Sequence, residues 1–104
     1  MSDFVELSLS CANQEEAEVI ANQLLEKKLV ACARFVPITS RFQWHDAIET
    51  DDEVLVIMES RADDFMEVEA VVAELHSYTT FVLKATAISQ ISEGAAKWLE
   101  ESLE

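Results

Sequence analysis

The chain has 104 residues, half of them hydrophobic, which is the usual size of one domain with a core of its own. It carries 21 acidic and 7 basic side chains and a formal net charge of −14, a negative field that excludes nucleic acids and anionic membrane surfaces as partners. No basic stretch followed by a long apolar run opens the sequence, so we expect neither a signal peptide nor a membrane span. The sequence therefore predicts a single domain over residues 1–104, located in the cytoplasm.

The N-terminal part predicts a strand followed by a helix. From Phe4 to Ser10, apolar and polar residues alternate, as in a half-buried strand. Asn13 stands three residues before Glu16, as in a capping box, and apolar residues then recur at helical spacing up to Lys27 and Lys28. We expect a first strand and a first helix here.

The middle of the chain predicts a second strand and a long hairpin. The short apolar run Leu29–Val36 indicates a central strand, and we expect Pro37 to end it because proline cannot donate a ladder hydrogen bond. Aromatic and polar residues alternate over 41–44, a turn is expected at 45–47, and Ile48–Ser60 returns as an extended strand.

The remaining elements are a second helix, a fourth strand and a C-terminal helix. Asp63 and Asp64 favour the start of a helix that runs to Leu75, Phe81–Ser89 alternates as a strand, and Ser92 precedes the last helix. The order βαββαβ plus a terminal helix predicts an α+β, ferredoxin-like sandwich with both crossover helices on one face and strands of mixed direction.

The other sheet face is expected to be uncovered in a single subunit. Phe42 and Trp44 lie on that face, and so large an apolar patch favours self-association. The residues alone therefore predict an oligomer.

Several motifs resemble those of the CutA family, which is linked to divalent-cation tolerance. The run Leu25–Cys32 resembles the family's LxEKLVACV signature. The family's P…SxYxW pattern is matched next, by Pro37, Ser40, Phe42 and Trp44. Further matches lie along the chain: Glu53 to a family glutamate, His76 and Tyr78 to the HPY motif, and Trp98 and Leu99 to the terminal WL. The resemblance covers essentially the whole sequence. It implies a homotrimer whose long hairpin wraps a neighbour, tolerance of copper and other divalent ions, and a build similar to the nitrogen-regulatory PII proteins.

The chain departs from the family pattern where a site would be expected. Ser77, Phe81 and Val82 replace the two prolines and the glutamate of HPYxxPE, and the pair Glu59-Ser60 replaces the family's Lys-Thr. The resemblance therefore implies a retained scaffold with changed cleft residues.

The metal-ligand candidates are His76 and Cys11. Neutral imidazole binds copper or zinc where other donors converge; the alternative for His76 is to cap helix carbonyls. We expect Cys11, at the end of the first strand, to be exposed and to offer the reachable thiolate. No cofactor is obligatory on this interpretation, and Cu²⁺ or another divalent cation is the candidate ligand.

Other chemistry-bearing residues are interpreted structurally. We expect Cys32 to pack as a small hydrophobe in an apolar strand, and the four residues Tyr78, Trp44, Phe42 and Cys32 to lie in the subunit interface or its cleft. The acidic run from Glu49 to Glu53 lacks the spacing of a calcium loop and reads as a solvated hairpin edge.

Three functions remain open on the sequence. No nucleophile–base spacing or phosphate-binding loop appears, so a non-enzyme is expected. The leading interpretation is a CutA-like divalent-cation tolerance protein. The alternatives are a PII-like trimer that senses a small molecule or regulates a protein partner, and a ligand-free trimeric adaptor.

Overall fold

The computed structural model describes residues 3–103, which form one four-stranded sheet and three α-helices. In chain order these are β1 (Phe4–Cys11), α1 (Gln14–Glu26), β2 (Val30–Trp44), β3 (Ala47–Arg61), a 3-10 turn (Ala62–Asp64), α2 (Phe65–Leu75), β4 (Leu83–Ala87) and α3 (Glu93–Ser102). This is the expected βαββαβ order with a terminal helix.

The strands lie in the order β2-β3-β1-β4, and every neighbouring pair is antiparallel. The strands therefore run in both directions rather than all parallel, as expected. Each crossover skips one strand position, because β3 lies between β1 and β2 and β1 lies between β3 and β4. Strands that run in the same direction are consequently never adjacent, and every ladder of this ferredoxin-like sheet is antiparallel.

The core lies between one face of the sheet and the helices α1 and α2. Side chains of β1 and β3 alternate between this face and the other, so that Leu7, Leu9, Val56 and Met58 are fully or almost fully buried. The helices contribute Ile20, Leu24, Val68 and Val72 to the same cluster. Helix α3 packs at one end of the opposite face, where Leu99 is buried and Trp98 is partly exposed.

Strand β2 continues through Pro37 to Trp44, so the expected end of the strand at Pro37 is wrong. Strand β2 lies at the edge of the sheet, and an edge strand tolerates proline where the missing N–H would face outward. The β2–β3 ladder therefore runs unbroken from Ala33–Met58 to Trp44–Ala47.

The hairpin turn forms at His45 and Asp46, as expected, and both residues have positive φ angles of 49° and 64°. Two left-handed residues are typical of the type I′ turn, whose twist matches that of the strands. Asp46 adopts this conformation without glycine because aspartate tolerates it.

The outer part of the hairpin projects beyond the rest of the sheet. Strand β1 ends where Cys11 pairs with Val54, whereas the β2–β3 ladder extends on to the turn. The segment from Ile38 to Glu53 is therefore a two-stranded ribbon. Two-stranded hairpins are marginally stable alone in water.

Strand β4 is shorter than expected at both ends, Leu83–Ala87 in place of Phe81–Ser89. Phe81 leaves the strand to stack its ring on His76, with 5.4 Å between ring centroids.

None of the helices in the described part of the chain is long and apolar enough to cross a bilayer. The cytoplasmic location stays a prediction.

Candidate metal centre and the adjoining cleft

Three side chains with metal-ligating atoms converge at one end of the helix-covered sheet face. The thiol of Cys11, the carboxylate of Glu16 and the imidazole of His76 each offer one donor atom, and these atoms lie within 4.8 Å of one another. They come from the end of β1, the first turn of α1 and the residue after α2. We call this group the Cys11–Glu16–His76 cluster.

The start of α1 fixes the position of Glu16. Asn13 caps the helix, since its Oδ1 accepts a hydrogen bond from the Glu16 N–H at 2.8 Å. The Glu16 carboxylate reaches back to accept the Ala12 N–H at 2.7 Å and also accepts the Ser77 N–H at 2.6 Å. The capping box anticipated from the sequence therefore also ties α1 to the segment after α2.

Burial acts to raise the pKa of Glu16, but hydrogen bonds from Ser77 and Ala12 and the nearby His76 outweigh it, so its pKa lies below the usual value. The carboxylate is thus ionised at neutral pH. Its Oε1 lies 3.9 Å from His76 Nδ1. An anionic oxygen beside an imidazole nitrogen is an arrangement that suits a cation.

The His76 ring is fully buried and both of its nitrogens are hydrogen-bonded. The Tyr78 N–H donates to Nδ1 at 3.0 Å, so Nδ1 carries the lone pair, and Nε2 lies 2.8 Å from the Ser10 carbonyl, to which it donates. These bonds hold a neutral tautomer in one orientation. The ring joins β1 to the segment after α2 and does not cap the carbonyls of α2.

Cys11 is fully buried, so the expectation that its thiol is exposed and reachable is wrong. Its side chain continues the inward-facing row of Val5, Leu7 and Leu9. Burial, followed by the charges of Glu16 and Glu53, raises the pKa of the Cys11 thiol to about 12. The thiol is therefore protonated at neutral pH in the metal-free protein.

The second cysteine lies elsewhere. Cys32 is half-buried rather than enclosed in the core, and it belongs neither to the Cys11–Glu16–His76 cluster nor to the lining of the cleft described next. Cys11 is thus enclosed where exposure was expected, and Cys32 is half-buried where packing within the apolar strand was expected.

A cleft of about 580 Å³ adjoins the cluster on the open face of the sheet. One wall is the hairpin, with the aromatic rings of Phe42 and Trp44, and the other is the segment from Tyr78 to Thr80. Three of the four residues expected at an interface or cleft therefore line the same cavity, and Cys32 is the exception. Trp44 remains 49 % exposed.

Tyr78 connects the cleft to the metal-ligand cluster. Its backbone N–H binds His76, and its hydroxyl donates to Glu53 Oε2 at 2.9 Å. Burial, the hydrogen bond to Glu53 and the charge of that carboxylate raise the pKa of Tyr78 to about 12. The hydroxyl therefore stays protonated and remains a donor to Glu53.

A family profile described as CutA1 divalent ion tolerance protein matches residues 6–102. The chain belongs to this family. Among curated proteins, the divalent-cation tolerance protein CutA of Archaeoglobus fulgidus is 40 % identical over 96 residues, covering 92 % of this chain and 94 % of that protein. The CutA of Thermus thermophilus is 30 % identical over 95 residues, covering 90 % and 92 %.

Solved structures of the family share the fold. The periplasmic divalent cation tolerance protein CutA from Archaeoglobus fulgidus superposes with a TM-score of 0.94 at 38 % identity, over 97 % of this chain and 99 % of that one. CutA1 from Oryza sativa gives 0.95 at 25 % identity, over 99 % and 95 %. The resemblance read from the sequence motifs is confirmed, and with it the ferredoxin-like α+β class. The Archaeoglobus and Thermus proteins are named for tolerance of divalent cations rather than for a catalysed reaction.

Sequence reasoning placed His76 and Cys11 among the candidates but missed Glu16 as their partner. The capping box at Asn13 was the available signal, since it turns the Glu16 carboxylate back toward the end of β1. The proximity of His76, 60 positions further along the chain, is a product of the fold alone.

Proposed function

We propose that this protein is a divalent-cation tolerance protein that binds one thiophilic cation, copper or zinc, per subunit through the Cys11–Glu16–His76 cluster. The convergence of the three donor atoms within 4.8 Å carries the proposal. The names of the relatives, which refer to divalent cations, support it independently.

The donor set fits such an ion. Sulfur and imidazole ligands select copper and zinc over magnesium and calcium, which prefer oxygen, and a carboxylate completes sites of this kind. Glu16 is already ionised and supplies negative charge to balance the cation. Binding would require Cys11 to release its proton and His76 to give up one of its two backbone hydrogen bonds.

Binding, rather than catalysis, is the chemistry that we propose. Both His76 nitrogens are hydrogen-bonded to backbone groups, so the ring is held in one orientation. A bound ion would supply a soft Lewis acid at a buried position. The functional consequence is withdrawal of free cation from solution, which accords with a role in tolerance.

We further propose that the protein acts as a homotrimer. No strand of the described residues 3–103 supports the ribbon from Ile38 to Glu53 as a third strand, and large apolar side chains remain exposed on and beside it, among them Trp44, Ile48 and Val82. Strand β4 is also an edge with exposed residues on both faces. Contacts with further copies would cover these surfaces.

The decisive experiment is calorimetric titration of chelator-stripped protein with zinc and then copper. We expect saturable binding with one ion per subunit, weakened at least tenfold in Cys11→Ser and in His76→Gln. Cys32→Ser and His45→Ala are the matched controls, because each removes the same ligand type outside the cluster, and both should bind as the original protein does.

Binding that moderate salt abolishes would mean that the acidic surface alone attracts cations. Equal loss in Cys11→Ser and Cys32→Ser would also overturn the proposal. Circular dichroism and thermal unfolding of each variant separate loss of ligand from loss of fold.

A further inference from the structure

Ser77, the residue after the buried histidine, contacts the carboxylate of the metal-ligand cluster. Its N–H donates to Glu16 Oε1 at 2.6 Å, and its side chain contributes a further hydrogen bond to the same carboxylate. The N–H belongs to the peptide unit between His76 and Ser77. The bond therefore ties the backbone at one proposed ligand directly to the side chain of another, although Ser77 is not itself one of the three donors.

Both oxygens of the Glu16 carboxylate are held by amides from different parts of the fold. The Ala12 N–H, at the end of β1, donates to Oε2 at 2.7 Å, and the Ser77 N–H, after α2, donates to Oε1. A donor on one oxygen alone leaves the carboxylate free to turn about its last side-chain torsion, which has broad minima. Donors on both oxygens fix the position and the plane of the group.

The carboxylate held in this way can still bind a cation. An ionised carboxylate has about four acceptor positions, and the hydrogen bonds from Ala12 and Ser77 leave at least one of them open. Oε1 lies 3.9 Å from His76 Nδ1, and the Glu16 side chain is only 11 % exposed. Ser77 thus directs Glu16 toward the cluster without using its whole capacity as an acceptor.

From these bonds we propose that Ser77 is a positioning residue of the metal site, whose backbone N–H holds the Glu16 carboxylate within reach of Cys11 and His76. The inference rests on the proposed function, because it treats the cluster as a cation site. Groups that orient the ligands of a metal ion commonly change its affinity by about 10–100-fold when they are removed. Ser77 acts through Glu16 and does not touch the ion.

The substitution that isolates the backbone donor is Ser77→Pro, because proline has no N–H. Residue 77 lies outside the helices and strands, and His76 has φ −76° and ψ 138°, the extended conformation favoured before proline. Calorimetric titration of chelator-stripped, full-length protein with zinc should show an affinity at least about tenfold lower than in the original protein. Ser77→Ala is the matched control: it keeps the N–H, so its zinc affinity should fall by about threefold or less.

A double-mutant cycle separates positioning of Glu16 from a general effect on the fold. Glu16→Gln keeps the shape of the side chain but removes its charge, and it should weaken zinc binding by itself. In that background, Ser77→Pro should change zinc affinity by less than about twofold, because the group through which it acts is already altered. A full tenfold further loss in the Glu16→Gln background would show that the substitution damages the site by another route and would overturn the inference.

Amide hydrogen exchange, measured by NMR on the metal-free protein, supplies a readout that needs no ion. Ser77→Pro removes one of the two anchors of the carboxylate, so the Ala12 amide should exchange at least about threefold faster, whereas Ser77→Ala should leave it unchanged. If Ser77→Pro does not fold, Glu16→Gln tests the same bond from its other end, because the Ser77 amide should then exchange at least about threefold faster. Unchanged exchange in either variant would overturn the inference whether or not zinc binds.

The zinc titration also distinguishes this inference from the proposed function. Zinc binding by the original protein that Ser77→Pro leaves intact would overturn the positioning role alone. Absence of saturable zinc binding by the original protein would overturn the proposed function, and the ligand role of Glu16 with it.

Discussion

Replacing His76 with alanine should destabilise the metal-free protein strongly, which separates its structural role from any ligand role. The substitution removes a ring whose side chain is fully buried and whose nitrogens bond the Ser10 carbonyl at 2.8 Å and the Tyr78 N–H at 3.0 Å. It also removes the contact with Phe81, whose ring centroid lies 5.4 Å away.

The magnitude follows from those contacts. Each backbone group left without its partner costs about 1–3 kcal/mol when buried, and the lost ring packing adds about 1–2 kcal/mol. The Ser10 and Tyr78 groups are only partly buried, so water entering the vacated space recovers part of that loss. We therefore expect His76→Ala to lower the free energy of unfolding by about 3 kcal/mol.

Guanidinium unfolding with excess chelator measures this change, at one fixed subunit concentration because oligomer dissociation contributes to apparent stability. His45→Ala is the control, since His45 is exposed at the hairpin turn, and it should cost less than about 0.5 kcal/mol. His76→Gln, which can retain one hydrogen bond, should fall between the two. A loss below about 1 kcal/mol in His76→Ala would refute the assignment of both bonds as stabilising.

Three other predictions concern single side chains. Burial, reinforced by Glu67, raises the pKa of Asp64, whose Oδ2 is buried without a hydrogen bond. Ionisation of Asp64 therefore opposes folding, and this penalty grows as the pH rises from the unfolded pKa of about 3.9 through the raised folded pKa. Asp64→Asn should accordingly stabilise the protein by up to about 1 kcal/mol at pH 7. Unfolding titrations should show that gain vanish below about pH 3.9, and a gain that persists there would exclude a charge effect. Asn13→Ala should cost about 1 kcal/mol in the same assay because it removes the cap of α1, and an unchanged midpoint would contradict the capping assignment. Trp44→Ala should weaken the oligomer, since an interface aromatic commonly contributes about 2 kcal/mol or more; light scattering that shows an intact trimer at micromolar concentration would exclude Trp44 as an anchor.

The fold was predictable wherever the spacing of apolar residues decides the local structure. The alternation in β1, the helical spacing in α1 and the turn at His45 and Asp46 each follow from local chemistry. The behaviour of β2 at Pro37 was not predictable in the same way. Whether proline breaks a strand depends on whether the strand is at an edge, and that is settled by the strand order.

The candidate site shows the same division. The alternation of Val5, Leu7 and Leu9 already places Cys11 on the buried face, so its burial could have been read from the sequence by extending the strand by one residue. The convergence of Cys11 with His76 could not, because the two residues are brought together by the packing of α2 against α1. Local patterns identify donors, whereas tertiary packing decides which donors meet.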